Sequence, residues 1–340
     1  MSGLVFAVLG LAFINLTFAA LVVLLRLRNV RRAARLEERR RVWYPRIIGL
    51  ISGDPDAERL SESVDPSEQS DVIEIAWDVA RRLRGGDRSR VQRFAAPLLG
   101  VTIPDLEARR PETRAREVQI VSCLGGSDYE HSIVEFLDDP SSLVSLAAAR
   151  ALCQPNRVRW IGEVLDRLGR YGAWSPALTA SMLAEVGMGA APEMRVYLGD
   201  DRRPAYARAA VARSLALLKD AESADVAAAQ LTTADSELVA ACLRLLAVVG
   251  SEAQANAVRP LITDDRFFVR ATAMTVLGKV GAPEDADLIV AAMEAGSAWI
   301  AIRATQALAD LHASSELAAL VNSGGLPAEA AIETLYGGAA

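Results

Sequence analysis

The side chains that could do chemistry are few and scattered. There are two histidines, His131 and His312, two lysines, Lys219 and Lys279, and three cysteines, Cys123, Cys153 and Cys242. The histidines are far apart in sequence and cannot share a metal, and no HExxH motif or cysteine pair supplies further ligands. Neither lysine lies in a GxxxxGK[ST] loop, Gly187-Met188-Gly189 follows a helical pattern instead of a strand, and GxSxG is absent. The cysteines sit inside apolar helical patterns with no CxxC spacing and read as reduced, buried packing residues. No catalytic site, cofactor site or metal site is expected. Carboxylates are plentiful, but spacing singles out no pair.

The elements that hold these residues are read from composition and periodicity. The chain of 340 residues is 51% hydrophobic but only 5% aromatic. Its apolar material is chiefly Ala, Leu and Val, which suits close-packed helices better than sheets. The expected fold class is all-α. Leu106, Leu137, Leu168, Leu198, Leu231, Leu261 and Met293 follow one another at intervals of 30 to 33 residues. Between most of them lie a turn rich in Asp, Pro, Gly or Ser, an Ala-rich helix, a break and a shorter second helix. Such a repeat predicts an α-solenoid of stacked helix pairs. Asp264-Asp265 is expected to cap one first helix, and Gly281-Ala282-Pro283 to end it.

Residues 4–25 form an uncharged apolar run of about 22 residues, roughly 33 Å as a helix, enough to cross a bilayer. A cleaved leader is the rival reading, because Thr17-Phe18-Ala19 loosely resembles a cleavage site. No basic region precedes the run, however, and Leu21 to Leu25 prolong it. Nine arginines then fall between Arg26 and Arg46 against Glu37 and Glu38. By the positive-inside rule this collar, residues 26–46, and all that follows are cytoplasmic, with the stub 1–3 outside. The expected location is a bacterial inner membrane, crossed once. The first 46 residues carry +7, which leaves −13 of the whole-chain −6 for the remainder. An acidic stack disfavours nucleic acid as a partner, whereas the collar suits anionic lipid headgroups. Within the span, Gly3, Ala7 and Gly10 line one face and Asn15 lies near the middle, so a second membrane helix could dock there; a lone tolerated Asn is the alternative.

The units resemble HEAT repeats, in particular the short bacterial kind of phycobilisome lyases. Three matches are the endings 183–187 (Leu-Ala-Glu-Val-Gly), 246–250 (Leu-Ala-Val-Val-Gly) and 277–281 (Leu-Gly-Lys-Val-Gly). Asp201 with Arg208, Asp265 with Val269-Arg270, and Ile302-Arg303 match the turn aspartate and helix arginine. The resemblance implies HEAT-like repeats over 106–325, degenerate helical repeats over 47–105, and a capping helix and tail over 326–340. It also implies that Asp201, Arg208, Asp265, Arg270 and Arg303 form an ion-pair ladder between neighbouring units.

Two functions stay open on that resemblance. One is a non-catalytic scaffold for a membrane-associated protein partner, such as a membrane synthase (a glycosyltransferase), a secretion complex or a transporter. The other is a phycobilin-lyase-like, chromophore-handling protein. For the scaffold, the expected surface is the second helices of the middle repeats, which offer Tyr129, His131, Arg157, Trp160, Arg195 and Tyr197. These are residue types that dominate binding hot spots, and they suggest a partner segment of mixed apolar and acidic character. Trp160 and Tyr197 are also readable as core residues bridging adjacent repeats.

Overall fold

The computed structural model describes residues 2–52, 55–102, 106–155, 157–170, 174–293 and 297–336, with the side chains at 2–15, 29, 32, 55–58 and 336 left aside. All regular structure among the described residues is helical. The chain forms two compact units, Met1–Ala151 and Leu152–Ala340.

The first unit opens with a single helix, Ser2–Ile51, that runs without interruption through the arginine-rich stretch. Its last turns have an apolar face: Leu36, Trp43, Ile47 and Leu50 recur at helical spacing. They pack into a core with Val72, Ile73 and Ala76 of the Gln69–Ala80 helix and Val91, Phe94 and Leu99 from the segment after it. Polar contacts fix this docking. Arg39 pairs with Glu68, which also accepts the Trp43 Nε1–H at 2.9 Å. Arg40 reaches Asp78 at 2.6 Å, and Arg90 donates to the Ile51 carbonyl at the helix end, at 2.7 Å. Arg39 and Arg40 are thus occupied by the protein itself, whereas Arg26, Arg28, Arg31, Arg35 and Arg41 are exposed.

Among the described residues no helix is long and apolar enough to cross a membrane. The expected span over 4–25 falls largely on side chains outside the described ones, and so do Gly3, Ala7, Gly10 and Asn15.

The second unit is built of helix pairs. First helices at Pro176–Ala184, Ala205–Leu218, Ser236–Val249, Phe267–Val280 and Ala298–Asp310 pack one on the next, and Gly325–Tyr336 packs on the last of them. Shorter second helices form a parallel row, among them Ile161–Arg167, Ala191–Gly199, Ala224–Ala229, Asp285–Met293 and Ser314–Val321. The periodic anchors Leu168, Leu198, Leu231, Leu261 and Met293 are all buried here, as Leu106 and Leu137 are in the first unit. Their period is therefore the period of the core.

Glycine ends three first helices where the Leu-x-x-Val-Gly pattern places it: the Gly250 and Gly281 N–H groups donate back to Leu246 and Leu277 at 2.8 and 2.7 Å. Gly187 has φ +89°, a conformation that favours glycine. The turn aspartates do not all cap as expected. Asp264 accepts from the Arg266 N–H at 2.8 Å, and Asp139 and Asp200 likewise bind the N–H two residues on, which shapes the turn before the helix. Asp235 does cap, accepting from Leu238 N–H at 2.8 Å.

The expected ladder is displaced. Arg208 holds Asp201 at 2.8 Å, the Leu198 carbonyl at 2.9 Å and Gln230, and Arg270 donates to the Asp264 carbonyl at 2.7 Å. Arg303 bonds Gln306 on its own helix. The Arg270 and Arg303 contacts stay within a turn or one helix, whereas Arg208 joins the ends of two successive second helices. Further links from one repeat to the next run along the second-helix row: Arg195 to Asp220 at 2.8 Å, and Arg259 to Asp285 at 2.6 and 3.0 Å. Within the first unit Arg114 to Asp139, at 2.9 Å through both nitrogens, spans the same kind of interval.

Two of these carboxylates make stability depend on pH. Asp285 is held below the ordinary carboxylate pKa by the Arg259 guanidinium, against burial, and with help from the Ala282 N–H. Asp264 is lowered by Arg266 in the same way. A folded-state pKa below the unfolded value of about 3.9 means the stabilisation is complete above roughly pH 5 and is lost as pH falls through the folded value. Urea midpoints should therefore be flat between about pH 5 and 8 and fall steeply below about pH 4. In Asp285→Asn the fall should be shallower and the neutral-pH midpoint already lower; an unchanged midpoint would remove Asp285 from the ladder.

Candidate interaction surfaces

The sequence-selected residues divide between the two units. Tyr129 and His131 belong to the first unit, where Tyr129 packs partly against the core around Trp43 and His131 is exposed. The other four belong to the second unit. Tyr197 is only 4% exposed, and burial pushes its hydroxyl pKa up to about 12. Arg157 is equally buried. Trp160 is half-buried beneath the Arg159 guanidinium, 5.2 Å from its ring. Arg195 is held between Asp220 and Glu222, the latter at 2.7 Å.

What the second-helix row exposes instead is Val196, at 75%. The reason is helical geometry: Ala191, Met194, Tyr197 and Leu198 take the buried face, which turns Val196 outward. That spacing was readable in the sequence. Val196 forms the ridge between two grooves. One, of about 340 Å³, is lined by Gly162, Leu165, Pro192, Tyr197 and others of the two flanking helices. The other, about 1020 Å³ and more open, continues past Arg195 and Gly199 to Val226. Asp166, Glu193, Asp200, Asp201 and Glu222 surround the ridge, against Arg195, Arg202 and Arg203. Arg203 is already taken up by Asp166 at 2.7 Å and by the Tyr197 ring.

Residues 228–309 match the family model described as HEAT repeats. They hold three first helices of the second unit and the second helices between them, and the residues around Val196 precede the match. Among solved structures, the chain is similar to Kap121p bound to Ste12p, at 13% identity and a TM-score of 0.41 over 85% of this chain and 43% of that one. Kap121p bound to the SUMO protease Ulp1p gives 12% and 0.40 over 86% and 45%. An engineered protein gives 16% and 0.35 over 85% and 97%. The chain spans less than half the length of the Kap121p chains. No curated protein sequence matches.

The cysteines are structural. Burial pushes the Cys153 and Cys242 thiols up to about 12, which keeps both un-ionised at neutral pH. Among the described residues no cluster of His, Cys, Asp or Glu is arranged to hold a metal.

Proposed function

We propose that this chain is a membrane-held scaffold whose second-helix row binds a protein partner on the cytoplasmic side. The observation that carries the binding reading is the Val196 ridge: a large apolar side chain exposed between two grooves, on a helix whose neighbours are tied together by ion pairs. An apolar centre with a charged rim is the composition of a protein contact. With Arg157 buried and Arg195 neutralised by its two carboxylates, the rim is acidic. The partner segment this surface fits is therefore basic and apolar, the reverse of the sign that the sequence suggested.

Membrane attachment is supported by the first helix. From Leu16 to Leu25 its side chains are exposed on every side, with Leu16 at 70% and Phe18 at 66%, and the exposed arginines follow at once. A helix that is apolar all round needs to be covered, and a basic flank favours the cytoplasmic leaflet. Because the same helix continues to its docked end, Leu25 and Trp43 are joined by about 27 Å of uninterrupted helix. The first unit would thus be carried on a strut instead of a loose tether. Anionic headgroups would meet Arg26, Arg28, Arg31 and Arg35.

Val196→Arg should test the binding face without disturbing the fold, since the side chain touches little. The variant is expected to keep the wild-type melting curve while capture of a basic, apolar partner segment weakens at least about tenfold. Unchanged capture would take the ridge out of consideration. For orientation, a reporter fused after Ala340 should be active only on the cytoplasmic side.

A further inference from the structure

The two rows of helices in the second unit carry opposite charge. The first helices from Ala205 to Asp310 hold six basic residues against two acidic. The second helices between Ala221 and Val321 hold six acidic residues against one basic. The first-helix row also has an apolar feature that no single repeat reveals. At or next to the second position of successive first helices stand Leu178, Tyr206, Phe267, Phe268, Trp299 and Leu326, between 38% and 49% exposed. Because these helices are parallel neighbours, their N-terminal ends share one edge of the row. In the Ser236–Val249 helix the same position is Glu237, which pairs with Arg213 at 2.6 Å.

The guanidinium groups of this edge lie against its rings. Arg244 sits 4.9 Å from the Phe268 ring, Arg270 5.8 Å from Phe267 and Arg303 4.6 Å from Trp299. Among the described residues Arg244 makes no hydrogen bond or salt bridge; Arg270 donates to a carbonyl and Arg303 to a glutamine amide. None of the three is neutralised by a carboxylate within salt-bridge distance. Cations held on exposed aromatic faces are suited to receive acidic groups while the rings supply contact area.

We propose that this edge, from Phe267 to Leu326, binds an acidic, extended protein segment bearing a large apolar side chain at every third residue. The spacing follows from the packing. Neighbouring helices lie about 8–10 Å apart, and a polyproline II segment brings every third side chain to the same face after about 9 Å. One apolar residue then meets each of the three consecutive helix ends, and the acidic residues between them face Arg244, Arg270 and Arg303. This edge is on the opposite row from Val196 and does not require the grooves there to be occupied.

The test uses the full chain in mild detergent and a fluorescein-labelled peptide of four Leu-Glu-Pro triplets, read by anisotropy. The expected result is binding that weakens with added salt and falls about tenfold in Phe268→Ser/Trp299→Ser and in Arg244→Glu. Melting should be unchanged in both, since these side chains are exposed, and Val196→Arg should bind the peptide as wild type does. Equal binding of a scrambled peptide of the same composition, or no loss in the double variant, would overturn the proposal. So would an absence of peptide binding, including the case in which phosphatidylglycerol vesicles bind and are released by the same substitutions, which would assign the edge to a lipid surface.

Discussion

Gly278→Val should destabilise the last repeats by about 3 kcal/mol. A Cβ on Gly278 would lie 2.6 Å from Ala307 Cα, 2.8 Å from its Cβ and 2.9 Å from its carbonyl oxygen. Backbone atoms cannot rotate away as a flexible side chain would. The Phe267–Val280 and Ala298–Asp310 helices would have to separate, loosening the seam on which the repeats at this end depend. Gly278→Ala sets two effects against each other, a helix-propensity gain of up to about 1 kcal/mol and a clash of about 1–3 kcal/mol, and the clash should win. Gly199→Ala is the control, because its Cβ would meet only Val226 at an ordinary 3.6 Å. Because the stack stabilises itself through neighbouring interfaces, the transition of Gly278→Val should broaden, with protection from hydrogen exchange lost first between residues 267 and 336. A sharp, unshifted transition would contradict the packing.

Arg195→Glu is expected to cost about 3 kcal/mol, because it replaces the only cation found, among the described residues, beside a carboxylate that is 2% exposed and places a like charge there instead. Asp220 Oδ1 accepts from Arg195, while its Oδ2 has no partner, so the residue depends on this one guanidinium. Glu222, on the outer side, is mostly exposed and can relax into water. Arg195→Met should still destabilise by about 2 kcal/mol, since it leaves the buried carboxylate alone. Asp220→Leu combined with Arg195→Met should recover most of that loss, because an apolar pair of similar volume removes both charges together. Urea midpoints of the four proteins measure this coupling. If Arg195→Glu melts like wild type, Arg195 is not a strut between repeats, and its availability to a partner returns.

These two cases mark what the sequence could and could not show. The leucine period was legible because burial imposes it: each anchor must reach the shared core, and a change of more than a few residues would expose it. The helix-ending glycines were legible for a similar reason, since the chain must reverse there. Charge partners were not. Asp201 and Arg208 are near in sequence and do meet, but other contacts linking one repeat to the next join residues 24 to 26 apart, such as Arg213 to Glu237, Arg195 to Asp220 and Arg259 to Asp285. Nothing local distinguishes those arginines from surface ones. Residue type likewise did not reveal that Arg157 and Tyr197 are buried, whereas the helical spacing of Met194, Tyr197 and Leu198 already turned Val196 outward. The aromatic edge needed the repeats to be aligned on their first helices, because one exposed ring at a helix start carries no signal until its neighbours share it. The docking of the Leu36–Ile51 stretch was hidden by its charge: Arg39, Arg40, Arg41 and Arg46 are interleaved with Leu36, Trp43, Ile47 and Leu50, which share one face.

The most direct test of a membrane-held scaffold is photocrosslinking in living cells, with a benzophenone amino acid placed at Val196 in the full-length chain and, as a comparison, at Val248, which is exposed on a first helix. The account predicts one discrete covalent adduct from position 196, recovered in the membrane fraction and absent when Glu193 and Glu222 beside the ridge are both replaced by Lys. Position 248 should give none of that adduct. Recovery of the chain and its adducts in the soluble fraction, or equal crosslinking from both positions, would contradict it.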